Sequence, residues 1–305
     1  MSSSSAPSLV QFTCDDGHVL HGTLWTPTGT PSAVVLIHPA TAVPETLYAA
    51  FAEHLASRGL AAVTYDYRGI GRSAPATLRG FSARMRDWAD HDVETVTAWA
   101  HQRFEGLPLL AVGHSFGGHA IGLGEGSRHL KGAVFVASHA GYVGGMRGRV
   151  ERWRARFLLH ALGPLLCHTL GYMPGRSLGL GENLPAGVFL EWSKWTSLPR
   201  YFFDDASVLA EARFARRRLP VLAVGLDDDP WATPQAIDQL VGQLVNCDVE
   251  RRQISPAAAG APVGHMGFFR RRHRETLWPG VVDWLVATGG VPQPDARSRP
   301  EARPA

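Results

Sequence analysis

The stretch Leu109-Leu110-Ala111-Val112-Gly113-His114-Ser115-Phe116-Gly117-Gly118 decides how the chain is read. Its opening apolar run, free of charge, reads as a strand covered on both faces. Residues 113–117 fit G-x-S-x-G, and the residues after Ser115 open a helix. A strand-to-helix turn this sharp leaves no room for side chains beside the serine, which the glycines answer. It lifts the Ser115 hydroxyl to the carboxyl edge of a sheet. The N–H of Phe116 then stands at a helix N-terminus, where partial positive charge favours an oxyanion. A bare G-x-S-x-G arises often by chance, and a turn that merely packs a helix onto a strand has similar composition. The strand before it, the helix after it and the added Gly118 favour a nucleophile.

Outward from this stretch, short β-like runs alternate with helical patterns. Apolar runs at 33–37, 60–65, 132–137 and 221–224 read as strands, with a further strand near 247–254. Leu47, Phe51 and Leu55 recur at i+4 on a helix that Gly59 ends. Further helices are expected around 83–103, with Trp88, Val96 and Trp99 apolar, at 234–245 and at 274–287. Strands near 9–13 and 18–25 flank Cys14-Asp15-Asp16-Gly17, a hairpin signal. The alternation predicts an α/β fold: a mostly parallel twisted sheet, helices on both faces, and an antiparallel edge. Residues 140–218 break the rhythm, with little strand pattern and far more length than a connection needs. The expected organisation is a core at 9–139 and 219–288, a helical cap at 140–218, a flexible tail at 1–8 and a disordered tail at 289–305.

Composition narrows the classes. The chain has 305 residues, 45% hydrophobic and 19% charged, enough for a sizeable core without disulfides or metals. The scattered Cys14, Cys167 and Cys247 form neither a disulfide framework nor a metal pattern. The first residues lack a basic region followed by an apolar one, so no secretory signal is read there. No stretch reaches the roughly 18 uncharged apolar residues of a membrane span. A cytoplasmic protein without an integral membrane segment is the expectation. A net charge of +3 makes no case for nucleic-acid binding. No metal cluster or cofactor fingerprint is present, and the glycines at 69 and 71 do not open G-x-G-x-x-G. Homodimerisation is left open.

From about residue 9 to 287 the chain resembles the α/β-hydrolase superfamily. The resemblance rests on the elbow, on Ile37-His38-Pro39-Ala40-Thr41, and on Tyr65-Asp66-Tyr67-Arg68-Gly69-Ile70-Gly71-Arg72-Ser73, similar to a D-x-R-G-x-G-x-S segment. With Gly171-Tyr172-Met173-Pro174-Gly175 and Gly264-His265-Met266-Gly267-Phe268-Phe269-Arg270, it is similar to bacterial proteins described only as predicted α/β hydrolases. Asp66 and Arg68 read as structural, a loop-fixing ion pair within a turn. The resemblance implies a Ser-acid-His order. The acid would lie in Asp227-Asp228-Asp229-Pro230-Trp231-Ala232-Thr233-Pro234. Asp229 matches best, Asp228 next and Asp227 last; a solvated acidic loop capping a helix is the bland alternative.

His265, in a Gly-rich loop before the last helix, would be the base. His38 and His114 precede the acid. His273, in Arg270-Arg271-Arg272-His273-Arg274, reads as a solvated helix start. The second oxyanion donor should come from the loop after the third strand. Pro39, where many relatives have glycine, has no N–H, which leaves Ala40, with Thr41 open. Candidate substrate-binding residues are His114, Thr41, His139, Trp192 and Trp231.

Trp153 and Phe157 stand at i+4 in an arginine-rich helical stretch of the insertion, as in an amphipathic helix. Trp192, Trp195, Tyr201, Phe202 and Phe203 add aromatic surface, most of it read as packing within the cap. Over 147–218, 12 Lys+Arg stand against 6 Asp+Glu, a net +6. A solvated face accounts for that charge more simply than steering of an anionic substrate.

The leading function is serine-dependent hydrolysis of a small-molecule ester, thioester or small amide through an acyl-enzyme. An acyltransferase with the same triad is the first alternative. A non-catalytic binding protein on the same fold is the second. A haloalkane dehalogenase would carry a carboxylate at position 115.

Overall fold

A computed structural model describes residues 5–291. Eight strands form one sheet: β1 (Ser8–Thr13), β2 (Val19–Trp25), β3 (Val34–His38), β4 (Ala61–Tyr65), β5 (Leu109–His114), β6 (Leu130–Val136), β7 (Val221–Leu226) and β8 (Val249–Ile254). Their order across the sheet is β1-β2-β4-β3-β5-β6-β7-β8. The β1–β2 and β2–β4 pairs are antiparallel; every other pair is parallel. Every residue of β3, β4, β5 and β7 is buried, as strands with helices on both faces require. The edge strands β1 and β8 are mostly half-buried or exposed.

Helix α1 (Ala49–Ser57) buries Phe51 and Leu55. Phe51 meets the rings of Phe268, Phe269 and Trp278, so one helical stripe ties the start of the core to its end. Gly59, at φ +84°, turns the chain into β4, with Leu60 N–H donating to the Leu55 carbonyl at 3.1 Å. The region expected as one helix at 83–103 runs through Met85–Asp87, a π-turn at Trp88–Asp92 and α2 (Val93–Arg103). Helix α3 (Phe116–Leu123) follows β5. Between β6 and β7 the chain forms α4 (Arg149–Phe157), a π-turn at Leu158–Leu162, α5 (Gly163–Leu170), a two-strand ribbon of Tyr172–Met173 and Leu184–Pro185, and α6 (Ala186–Ser197). Helices α7 (Pro234–Val241) and α8 (Trp278–Thr288) complete the core.

Four expectations need correction. Ser5–Ser8 are not a loose tail: the Ser5 N–H and hydroxyl both donate to the Thr26 carbonyl, at 3.0 and 2.9 Å, and Ser8 begins β1. Gly289–Val291 are also held, with Val291 N–H donating to the Val286 carbonyl at 3.1 Å; the remainder of both expected tails lies outside the described residues. Asp66 and Arg68 are structural, but not partners of each other. Asp66 accepts from the Glu45 and Arg72 amides at 2.7 and 2.9 Å. Arg68 Nε donates to Asp92 at 2.6 Å, and its guanidinium also meets Asp16. His273 is not a solvated helix start. It is fully buried, because the turn before α8 folds back onto the core.

Parallel strands meeting at their carboxyl ends make a crevice there. At the β5–α3 junction helix and sheet touch so closely that a Cβ on Gly117 would overlap the backbone carbonyl of His38. Gly117→Ala should therefore lower stability by about 1–3 kcal/mol, as overpacking of a rigid interior does. Thermal melting checks this; an unchanged melting temperature would contradict it.

Candidate active site

Ser115 caps α3 with φ +51° and ψ −110°, a conformation non-glycine residues rarely adopt. Its amide donates to the Val136 carbonyl at 2.9 Å, which anchors the turn to the neighbouring strand. A Cβ on Gly113 would overlap the backbone of Gly117 and Gly118. Phe116 packs edge-on against Trp88 at 5.4 Å, and Trp88 stacks on Tyr67 at 4.7 Å. These rings fix the first residue of α3, whose N–H is one of the donors a helix N-terminus leaves unpaired.

Two loops bring the other groups to the serine. His265 Nε2 lies 3.0 Å from Ser115 Oγ, and His265 Nδ1 lies 2.6 Å from Asp229 Oδ2. An ionised carboxylate only accepts, so Nδ1 carries the proton and Nε2 is open to receive one from the serine. The other Asp229 oxygen accepts from the amides of Trp231 and Ala232, at 2.8 and 3.1 Å. Burial alone would raise the Asp229 pKa. The His265 ring and these donors outweigh it and hold the carboxyl at about 2.

The three adjacent aspartates divide the work. Asp228 accepts from the Val263 and Gly264 amides at 2.7 and 3.0 Å and so pins the loop that carries His265. The Asp227 carbonyl takes the Arg147 guanidinium at 2.6 Å. Asp229 alone of the three touches the imidazole.

The loop after β3 differs from expectation. The Ala40 N–H is not free, because it donates to Tyr48 Oη at 2.9 Å. Tyr48 Oη lies 2.9 Å from His114 Nδ1, and His114 Nε2 lies 2.8 Å from the His265 carbonyl. A carbonyl only accepts, so Nε2 bears the proton and Nδ1 accepts from the tyrosine. One chain of hydrogen bonds thus runs from the Ala40 amide to the backbone of His265. His114 is fully buried and does not line the cavity at the serine, so the substrate-binding role expected for it is withdrawn. Burial, then the neighbouring His265 ring, lowers its pKa to about 3. His38, equally buried, sits 2.7 Å from Tyr65 Oη.

A cavity of about 560 Å³ opens over Ser115, and Phe116, Ala40, Thr41, His139, Trp192 and Trp231 line it. Trp192 and Trp231 stack at 6.5 Å. His139 stands perpendicular to the His265 ring at 5.5 Å, its Nδ1 donating to the Ala137 carbonyl at 3.0 Å. Burial, then His265, lowers its pKa to about 4. Leu158, Leu159, Met173 and Phe189 come from residues between β6 and β7 and make much of the cavity apolar. The sequence reading missed Tyr48, His119 and the hold of Asp228 on the His265 loop. His119, one turn beyond Ser115, donates from Nε2 to the His139 carbonyl at 2.7 Å. No spacing marks these residues; only the i+4 relation of His119 to Ser115 was there to be read. Among the described residues no cluster could hold a metal ion, and no helix is long and apolar enough to cross a membrane.

Residues 29–171 match the family described as serine aminopeptidase, S33. That span includes the Ser115 elbow but neither Asp229 nor His265. The chain is 29% identical to human monoglyceride lipase over 126 residues, 40% of this chain and 40% of that enzyme. A soluble variant of monoglyceride lipase from Saccharomyces cerevisiae, solved with a substrate analog, superposes with a TM-score of 0.64 at 15% identity, over 93% of this chain and 95% of that one. A puromycin hydrolase structure gives 0.55 at 17% identity, over 94% of this chain and 40% of that one. The chain thus spans less than half the length of that curated relative. Strand order, elbow and these likenesses agree: the chain has the α/β-hydrolase fold, and its residues 29–171 are similar to the S33 family.

Asp229→Asn keeps the shape of the acid and removes its charge. The wild-type carboxyl is depressed from 3.8 to about 2, so its contribution to stability is complete above about pH 4 and is lost as the pH falls toward 2. The wild type should therefore lose more melting temperature than Asp229→Asn across that window. Equal losses in thermal melts would contradict the assignment.

Proposed function

We propose that the chain is a serine hydrolase of carboxylic esters, with Ser115 as nucleophile, His265 as general base and Asp229 as its orienter. The observation that carries this is the pair of short contacts through one imidazole, 3.0 Å to Ser115 Oγ and 2.6 Å to Asp229. His265 Nε2 takes the hydroxyl proton as Oγ attacks the acyl carbon. The same ring then protonates the leaving alkoxide, and an acyl-enzyme remains. Water, deprotonated by His265, releases the acid and frees Ser115. Asp229 stabilises the imidazolium formed at each step.

The Phe116 amide receives the developing oxyanion at the N-terminus of α3. Ala40 joins it only if its N–H exchanges Tyr48 Oη for the oxyanion; otherwise the second donor comes from Thr41. Residues 140–218 act as the cap. Their apolar side chains roof the cavity and receive the acyl chain, with Trp192 and Trp231 stacked at its wall. The apolar lining and the likeness to monoglyceride lipases make a long-chain monoacylglycerol the first natural ester to test.

A series of p-nitrophenyl esters of increasing chain length, together with monoacylglycerols, tests the reading in wild type and Ser115→Ala. Wild type should turn over these esters and favour longer chains. The variant should lose roughly a millionfold in kcat, as serine enzymes do when the nucleophile is removed. Undiminished turnover by Ser115→Ala would overturn the mechanism.

A further inference from the structure

Helix α4, the π-turn and α5 run without a break from Arg149 to Leu170, about 33 Å of helix. They carry two separate ladders. Ala155, Leu159, Gly163 and Cys167, four residues apart, are buried. Gly163 lies so close to Phe189 of α6 that a Cβ would overlap its ring, and Leu159 lines the cavity over Ser115. The other ladder faces out. Val150 is 56% exposed, Trp153 66%, Phe157 49% and Leu165 59%, with the exposed Ala161 between the last two. Trp153 and Phe157 stack on each other at 5.8 Å and touch no other ring among the described residues. A continuous apolar stripe of this kind calls for a covering partner.

The charges flanking the stripe say which one. Arg149, Arg154 and Arg156 are exposed on its first half and, among the described residues, form no ion pair, while Arg147 and Arg152 donate to the carbonyls of Asp227 and Met146. Glu151 is the lone acid between Arg147 and Leu170. Two copies of this face set against each other would bring three exposed guanidinium groups onto three, with one carboxylate per copy to offset them. An anionic bilayer surface meets both features at once. Tryptophan and phenylalanine seat at the boundary between headgroups and acyl chains, and arginines bind the lipid phosphates.

We propose that the α4–α5 helix lies in the surface of an anionic membrane, with the stripe from Val150 to Leu165 sunk into it. Leu158 and Leu159 of the same stretch line the cavity, so docking leaves the cavity one helix away from the membrane. The docking goes beyond the hydrolase reading and does not depend on it, since binding can be measured without turnover.

Co-sedimentation of the full chain with vesicles tests it, using phosphatidylcholine alone and phosphatidylcholine mixed with phosphatidylglycerol. The protein should pellet with the mixed vesicles, far less with phosphatidylcholine alone, and less as salt rises. Trp153→Ser with Phe157→Ser should abolish binding. Arg154→Gln with Arg156→Gln should weaken binding to the mixed vesicles roughly thirtyfold, with little change on phosphatidylcholine. All four side chains are exposed, so melting temperatures should match wild type. Wild type remaining in the supernatant with mixed vesicles at low salt would overturn the proposal, as would either variant binding like wild type. A dimer in sedimentation velocity that Trp153→Ser with Phe157→Ser dissolves would assign the stripe to a second copy instead.

Discussion

Ser115 occupies a backbone conformation, φ +51° and ψ −110°, that costs on the order of 1–3 kcal/mol and persists because its surroundings allow nothing else. Gly113 and Gly117 have no room for a side chain, the Ser115 amide is tied to β6, and Phe116 is wedged against Trp88. The candidate site is arranged about that turn. The buried strands on either side are what hold it: β3 supplies the carbonyl that crowds Gly117, and β6 supplies the carbonyl that anchors Ser115. A looser sheet would let the turn relax, and the hydroxyl would leave the crevice.

Around this rigid point the polar groups are positioned by backbone rather than by other side chains. Asp229 is held by two amides, Asp228 holds two amides of the His265 loop, and His114 grips the His265 carbonyl. Buried groups need such partners, since each one left unmet costs about 1–3 kcal/mol. Burial also lowers the pKa of His38, His114, His119 and His139 to between about 3 and about 4, so these rings are neutral near pH 7. Asp229, held ionised, then faces His265 amid neutral imidazoles rather than among competing cations.

Much of this was legible in the sequence because it is local. Continuous apolar runs mark two-sided strands, the recurrence of Leu47, Phe51 and Leu55 marks a helix, and G-x-S-x-G between strand and helix marks the elbow. What escaped was tertiary. Arg68 stands two residues from Asp66, yet it reaches across to Asp92 and Asp16. His273 sits among arginines but turns inward. The Ala40 amide looks free in the sequence because Tyr48, eight residues on, closes back upon it. His114 stands inside the motif, yet its ring points into the core. Periodicity reports which face a residue takes; it does not say which distant loop will meet it there. Asp229 was favoured over Asp228 by the residues that follow it, and the two carboxylates in fact face different partners.

The central claim is that Ser115 is the activated nucleophile of this chain. Treatment with a fluorophosphonate, followed by mass spectrometry of the digested protein, tests it most directly. The account predicts one phosphonylated residue, Ser115, with labelling strongly slowed in His265→Ala. An adduct on a different serine, or ester turnover by a protein whose Ser115 stays unmodified under the probe, would contradict it.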